Sequence, residues 1–106
     1  MTGIKPEHLE IIKGILRDFL PGVEVRVFGS RVNGAFKDWS DVDLAIVGEA
    51  RMDIKTLTRL KGAFEESDLP YRVDLLDWHN ISPEFRELIQ ARYEIIQSTT
   101  RQPQSP

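Results

Sequence analysis

The run Asp41–Val47, with the letters DVDLAIV, constrains the fold of this chain more than any other segment. Beyond Asp43 the run is wholly apolar, which is typical of a central strand covered on both faces. Such a strand needs paired strands beside it and packed layers above and below it. The chain is therefore expected to build a sheet around this segment and to pack helices against that sheet.

Helical and strand patterns alternate on either side of this strand. Apolar residues recur at three-to-four spacing after Pro6 and after Asp53, which we expect to be an N-cap. Apolar residues of strand type mark two further segments. The predicted elements are a helix from Pro6 that stops at Pro21–Gly22, a strand at 23–28, a loop at 31–40 with one helical turn near Val32, a helix from Ile54 to near Asp68, a strand at 71–76, and a helix from Pro83 with Phe85, Leu88, Ile89 and Ile96 facing inward.

These elements predict one domain of the α/β (α+β) class. Its sheet is mixed, with three or four strands, and its helices lie mainly on one face, so that the other face is left as a cleft. A chain of 106 residues with 41% hydrophobic content has enough apolar side chains for one core. We place the domain at 1–97 and expect 98–106, which is polar and contains proline, to be a disordered tail.

Charge and composition exclude several function classes. The net charge is −3 and both signs are interspersed, so no basic surface is expected to follow a long nucleic acid. The longest apolar runs fall far short of the roughly 20 residues that a membrane span needs, and no cysteine is present for a disulfide framework. We therefore expect a cytoplasmic protein without a membrane segment.

Asp41 and Asp43 form the first candidate site. Side chains at i and i+2 of a strand point to the same face, about 6.6 Å apart along the chain. Two carboxylates that close repel each other, and either a shared proton or a hard divalent cation relieves the repulsion. The pair is also compatible with solvated charge or capping at a loop, so it predicts a metal site only together with further residues.

Asp74 is the first of these further residues. It lies within the strand pattern Tyr71–Leu76, where an unpaired aspartate is unfavourable. If this strand lies beside the central one, Asp74 joins Asp41 and Asp43 on one face, which suits two cations about 3.5 to 4 Å apart. A structural salt bridge from Arg72 or Arg26 to Asp74 is the competing interpretation.

Gly29–Ser30, at the end of the strand at 23–28, adds a candidate anion site. A glycine there lets backbone N–H groups approach an anion closely, and the serine adds a hydroxyl donor. Together the two residues suit a triphosphate, although a Gly–Ser pair alone is usually only a turn.

The spacing of Gly29-Ser30-Arg31-Val32-Asn33-Gly34 and Ser40-Asp41-Val42-Asp43-Leu44-Ala45-Ile46 resembles the signature of the DNA polymerase β-type nucleotidyltransferase superfamily. The resemblance spans roughly 23–76. Within the superfamily the chain is similar to the minimal nucleotidyltransferases, which pair in prokaryotes with a separately encoded, all-helical HEPN protein in toxin–antitoxin modules. This resemblance implies the nucleotidyltransferase fold.

The resemblance also implies roles for individual residues. Gly29 and Ser30 would grip the β- and γ-phosphates of ATP or another nucleoside triphosphate. Arg31 matches the family's common Gly-Ser-Arg and would belong to the same nucleotide-binding set. Asp41 and Asp43 would bind two Mg²⁺ ions, with Mn²⁺ as the alternative. Asp74 would bind the catalytic ion and help to activate the acceptor hydroxyl.

The implied partner is the HEPN toxin, to which a transferase of this type adds AMP on a tyrosine and so acts as antitoxin. The short chain leaves little room for an acceptor pocket, so a homo- or hetero-oligomer is expected. Two alternatives stay open: transfer to a small hydroxyl compound such as an aminoglycoside, and a non-catalytic module that neutralises its partner by contact. A haloacid dehalogenase site fits poorly, because it expects Thr or Val where this chain has Ala45.

Other polar and aromatic residues are expected to have structural roles. Trp39 is predicted to pack over its loop, His79 to lie at the surface, and Lys37 to be an exposed lysine of the loop. Four further aspartates lie at turns or helix starts, where aspartate has local backbone reasons to occur. These are Asp38, Asp53, Asp68 and Asp77.

Overall fold

Helices and strands alternate along residues 3–34, 37 and 39–99, which the computed structural model describes. The elements are α1 Pro6–Phe19, β1 Glu24–Phe28, α2 Ser30–Asn33, β2 Val42–Val47, α3 Ile54–Glu65, β3 Val73–Asp77, a 3₁₀ helix Trp78–Asn80, α4 Pro83–Ala91 and β4 Glu94–Gln97. Asp38 and most of the tail, 100–106, lie outside the described residues, so the disordered tail and the domain boundary stay predictions. Among the described residues no helix has the length and apolar character of a membrane span.

The sheet has four strands in the order β3-β2-β1-β4. β1 pairs antiparallel with both β2 and β4, whereas β2 and β3 are parallel. The predicted central strand is confirmed, since β2 has a neighbour on each side and Leu44 is fully buried. A parallel pair needs a long crossover, and α3 provides it. Asp53 caps α3 as predicted, accepting a hydrogen bond from the Thr56 amide.

The larger core lies between one face of the sheet and helices α1 and α3. It joins Leu16 of α1 and Leu60 of α3 to alternate residues of β1 and β2, such as Val27 and Leu44. Alternation along a strand sends every second side chain to the opposite face. The mixed sheet with helices packed mainly on this face therefore agrees with the prediction.

The opposite face carries a smaller cluster around Ala45 of β2. Trp78 of the 3₁₀ helix and Ile89 of α4 cover it, so this face is not left wholly open as the predicted cleft. Leu88 of α4 was predicted to face inward and is 70% exposed, which makes that prediction wrong. Within a nine-residue helix only a narrow stripe meets the sheet, and Ile89 occupies it.

The prediction for Ile96 was also wrong. Helix α4 ends at Ala91, Arg92 is extended with φ −160°, and Ile96 lies on β4, which pairs with β1. Ile96 is nevertheless buried, because β4 places it against the larger core. A strand of four residues at the edge of a sheet carries too little alternation to be separated from a helical pattern.

Candidate active site

The three predicted aspartates lie together at one end of the sheet, on the face that carries the smaller cluster around Ala45. Asp43 of β2 and Asp74 of β3 are direct partners in the parallel register. Neighbouring strands lie about 4.8 Å apart, and paired residues point to the same face. The carboxyl groups of Asp43 and Asp74 lie within hydrogen-bonding reach of each other. Asp41 immediately precedes β2 and lies two residues from Asp43, so it belongs to the same cluster.

Burial and the neighbouring carboxylates raise the pKa of Asp43. The pKa of Asp43 is raised from 3.8 to about 6, first by burial, then by the negative charges of Asp74 and Asp41, and by a hydrogen bond that the protonated Asp43 can donate to Asp74. Each of these causes disfavours the ionised form of Asp43. The cluster therefore carries unfavourable negative charge near neutral pH, which a proton or a cation would relieve.

Arg72 lies at the open side of this cluster. Its Nε is 3.3 Å from Asp74 Oδ1, and its Nη2 is 3.7 Å from Asp41 Oδ2. The salt bridge that competed with the metal interpretation is thus present. It is a solvent-exposed pair, with 73% of the Arg72 side chain accessible, and such pairs contribute little stability. A pair this weak can be displaced by a cation that binds the same carboxylates.

Arg26 does not pair with Asp74. Its Nε donates to Glu24 at 2.6 Å, and its guanidinium lies 4.9 Å from the ring centre of Trp78 and 4.4 Å from that of Tyr93. These contacts tie β1 to the 3₁₀ helix and to the start of β4. Local sequence carries no signal for them, because the three residues are far apart along the chain.

Gly29 brings the candidate phosphate turn against the carboxylates. Its φ is +81°, a conformation that favours glycine, and a Cβ at this position would collide with Oδ2 of Asp43. Ser30, half-buried, begins α2 directly after this turn. The structure thus places the predicted anion-binding residues beside the predicted metal-binding residues.

Arg31 has a different place from the one implied by the family pattern. Only 4% of the residue is exposed, and its guanidinium donates to the carbonyl oxygens of Ser40 and Gly3 at 2.7 and 2.8 Å. It also lies over the ring of Tyr71 at 4.5 Å. An arginine committed to backbone acceptors stabilises the loop before β2, so we do not assign it a phosphate contact.

Two other expectations need correction. Trp39 is 68% exposed rather than covered, and the Lys37 ammonium lies 5.6 Å from its ring centre. His79 is half-buried, and its Nε2 is 2.6 Å from the carbonyl oxygen of Gly48. Asp77 has the predicted local role, because it accepts hydrogen bonds from the amides of His79 and Met52.

A cavity that was not predicted from the sequence lies next to Gly29. The cavity has a volume of about 290 Å³ and lies between the end of β1 and helix α4, with Phe28, Phe85 and Leu88 in its walls. The one local signal for it is an apolar residue, Leu88, beside the inward stripe of α4. Its relation to Gly29 depends on packing between distant elements.

The donor chemistry of the aspartate cluster fits a hard divalent cation, since all three groups offer carboxylate oxygens. In the present arrangement, no three His, Cys, Asp or Glu side chains of the described residues converge tightly enough to enclose an ion. Arg72, rather than a third carboxylate, faces both Asp41 and Asp74. Binding of a cation would therefore require the guanidinium to move and the carboxylates to reorient.

Comparison with known proteins identifies the family. The family described as "Polymerase beta, Nucleotidyltransferase" matches residues 10–102. The chain belongs to this nucleotidyltransferase family. "Probable protein adenylyltransferase MntA" of Haemophilus influenzae is 50% identical over 103 residues, which cover 97% of this nucleotidyltransferase and 90% of that protein. Enzymes of this class generally need divalent metal ions.

Solved structures show the same fold. The nucleotidyltransferase is similar to a chain in a crystal structure of a toxin–antitoxin with AMP-PNP, with a TM-score of 0.71 and 25% identity over 87% of this chain and 74% of that one. A chain of a tri-AMPylated Shewanella oneidensis HEPN toxin in complex with MNT antitoxin shares the fold, with a TM-score of 0.68 and 21% identity over 91% and 74% of the two chains.

Stability without metal is expected to depend on the pKa of Asp43. A carboxyl whose pKa is raised from 3.8 to about 6 on folding stabilises the fold below pH 4 and loses that contribution as the pH rises through 6. Asparagine does not titrate. In EDTA, the melting temperature of Asp43→Asn relative to the wild type should therefore rise between pH 4 and pH 8.

If Mg²⁺ binds the ionised carboxylates, as the sequence predicts, it should oppose this loss in the wild type. At about 100 times its dissociation constant it should add about 2.7 kcal/mol, and the variant should respond much less. Thermal melts at several pH values, with EDTA or Mg²⁺, measure both effects. A gap between the two proteins that is the same at every pH would contradict the assigned cause.

Proposed function

We propose that this chain is a Mg²⁺-dependent protein adenylyltransferase that transfers AMP from ATP to a tyrosine of a helical HEPN toxin and so acts as its antitoxin. The observation that carries the proposal is the closeness of two sites: Gly29 of the candidate phosphate turn abuts Asp43, which pairs with Asp74. The similarity to the probable protein adenylyltransferase MntA supports the choice of AMP and of a protein acceptor.

Residues at different positions of the site have different roles. The backbone of Gly29 and the hydroxyl of Ser30 bind the β- and γ-phosphates. Asp41 and Asp43 would hold two Mg²⁺ ions, and Asp74 would contribute a third carboxylate to hold them. When bound, these cations neutralise charge on the phosphates and lower the pKa of the acceptor hydroxyl.

The reaction is a displacement at the α-phosphorus. The acceptor oxygen forms a bond to phosphorus, the bond from phosphorus to the β-phosphate oxygen breaks, and pyrophosphate leaves. The acceptor proton passes by way of the Asp74 carboxylate to solvent. The protein contributes mainly alignment and charge stabilisation, since the reacting atoms must be in line.

Exposed apolar residues near the site suit an acceptor that comes from a partner. Trp39, two residues before Asp41, is 68% exposed, and Leu88, which lines the cavity next to Gly29, is 70% exposed. Large apolar side chains in water are typical of contact surfaces when they lie next to a functional site. The structures of toxin–antitoxin complexes with the same fold are consistent with this arrangement.

The two alternatives make different use of the site. A small hydroxyl compound such as an aminoglycoside needs an enclosing pocket, whereas the aspartates lie on a partly exposed face, with Asp41 45% and Asp74 42% accessible. A non-catalytic binding module needs no convergent carboxylates. The exposure of the aspartates therefore favours a macromolecular acceptor over a small compound. Their grouping favours catalysis over binding alone.

Transfer of AMP is expected to depend on the partner. With labelled ATP and Mg²⁺, the chain alone should label little, while addition of the product of the neighbouring gene should give a mass increase of AMP on a tyrosine of that product. The physical reason is that the acceptor is aligned only in the complex. Mass spectrometry locates the modified residue. Rapid labelling of an aminoglycoside, with an unmodified partner, would overturn the proposed acceptor.

A further inference from the structure

The proposed function assigns no role to Arg72, although its guanidinium faces two of the three aspartates. It contacts Asp74 at 3.3 Å and Asp41 at 3.7 Å. These are the oxygens to which a divalent cation would bind. A positive group and a metal ion cannot occupy the same side of these carboxylates together, because both their charges and their volumes conflict.

The backbone of Arg72 is held while its side chain is free to move. Its carbonyl oxygen accepts a hydrogen bond from the amide of Val42 at 3.0 Å, which extends the pairing of β2 and β3. The side chain, in contrast, is 73% exposed. An arginine whose backbone is fixed and whose guanidinium group is solvated can exchange ion-pair partners without changing the fold.

Charge determines which group the Arg72 guanidinium binds after it leaves the aspartates. When divalent cations bind the carboxylates, the guanidinium loses its attraction to Asp41 and Asp74. The strongest negative charge that then enters the site is the triphosphate. Guanidinium groups bind phosphate oxygens with two parallel hydrogen bonds and stay charged at all relevant pH values.

We propose that Arg72 is the resident cation of the metal-free site and moves to the phosphates of the nucleotide when divalent metal binds. This inference rests on the proposed function and adds a nucleotide-binding residue to it. Arg72 has two opposite effects in this scheme: it competes with metal in the free protein, and it strengthens nucleotide binding in the metal-loaded protein. A residue with only a structural role would have neither.

The test compares two affinities in Arg72→Gln. Without nucleotide, loss of the competing guanidinium should raise the affinity for Mn²⁺ up to about fivefold, the scale of an exposed ion pair. With saturating Mg²⁺, the affinity for α,β-methylene-ATP, whose α–β bond resists cleavage, should fall about tenfold or more, the scale of a charge-assisted hydrogen bond. Isothermal titration calorimetry measures both.

Two further variants give the controls. Arg59→Gln removes the same charge from an exposed position on α3, which packs on the opposite face of the sheet, and should leave both affinities within about twofold. Arg72→Lys keeps the charge and should keep the Mn²⁺ affinity, but it should weaken nucleotide binding because it loses the paired donors.

Each outcome bears on the inference. A higher Mn²⁺ affinity together with a lower nucleotide affinity in Arg72→Gln, with neither change in Arg59→Gln, supports it. Unchanged affinities, equal changes in Arg59→Gln, or Mn²⁺ and nucleotide affinities that fall together would overturn it. If the wild type fails to bind α,β-methylene-ATP in a Mg²⁺-dependent way, the proposed function itself is wrong.

Discussion

Replacement of Asp43 by asparagine is expected to lower the rate of AMP transfer about a thousandfold. Asparagine keeps the shape of the side chain but removes its negative charge, and the loss of about 4 kcal/mol of metal-mediated stabilisation of the transition state corresponds to that factor. Asp41→Asn and Asp74→Asn should have effects of similar size. Single-turnover transfer to the partner, followed by mass spectrometry, measures the rates.

A matched variant separates the site from a general loss of charge. Asp68→Asn removes the same charge from an exposed loop after α3 and should transfer at the wild-type rate. The site variants should remain folded, because removal of one of three repelling carboxylates relieves the repulsion that raises the Asp43 pKa. Near-normal transfer by Asp74→Asn would show that this residue is only the ion-pair partner of Arg72.

Gly29→Ala is expected to have the second largest effect, a loss of transfer of about a hundredfold. The new Cβ would collide with Oδ2 of Asp43, so either the turn or the carboxylate must move. Displacement of a reacting group by about 1 Å can cost this factor. The positive φ also makes alanine unfavourable, by about 1 to 2 kcal/mol of unfolding free energy.

Gly34→Ala is the control for backbone strain. Gly34 lies at the other end of α2 with φ +87°, and a Cβ there would meet no atom of the described residues within 4 Å. It should therefore lose a similar amount of stability in urea unfolding but retain most of its transfer activity. If Gly34→Ala loses as much activity as Gly29→Ala, strain rather than the contact with Asp43 explains the effect.

The positions of the candidate site's aspartates could be predicted because they follow from residues close together in the sequence. The i and i+2 positions of Asp41 and Asp43 place both carboxylates on one face of any strand, whatever surrounds it. Asp74 was recognised because a charged residue within a strand pattern is unfavourable without a compensating partner. The apolar run after Asp43 identified the central strand for the same local reason.

Local patterns did not indicate the contacts of side chains whose surroundings come from distant parts of the chain. Arg31 belongs to a motif associated with phosphate, yet it binds the carbonyl oxygens of Gly3 and Ser40. Leu88 follows the helical spacing of buried residues, yet the sheet meets Ile89 instead. Neither outcome depends on the residue's own neighbours in sequence, so no local pattern indicates it.

Sequence alone thus determined the central strand, the acidic pair and the glycine–serine turn, because periodicity and residue chemistry act over a few neighbouring positions. Tertiary structure decided that Asp43 and Asp74 share one register position, that Gly29 abuts Asp43, and that Arg72 faces the cluster. Register and packing are set by the burial of whole faces across the sheet. A shift of one residue would turn Asp74 away from Asp43, and only the assembled core selects against that shift.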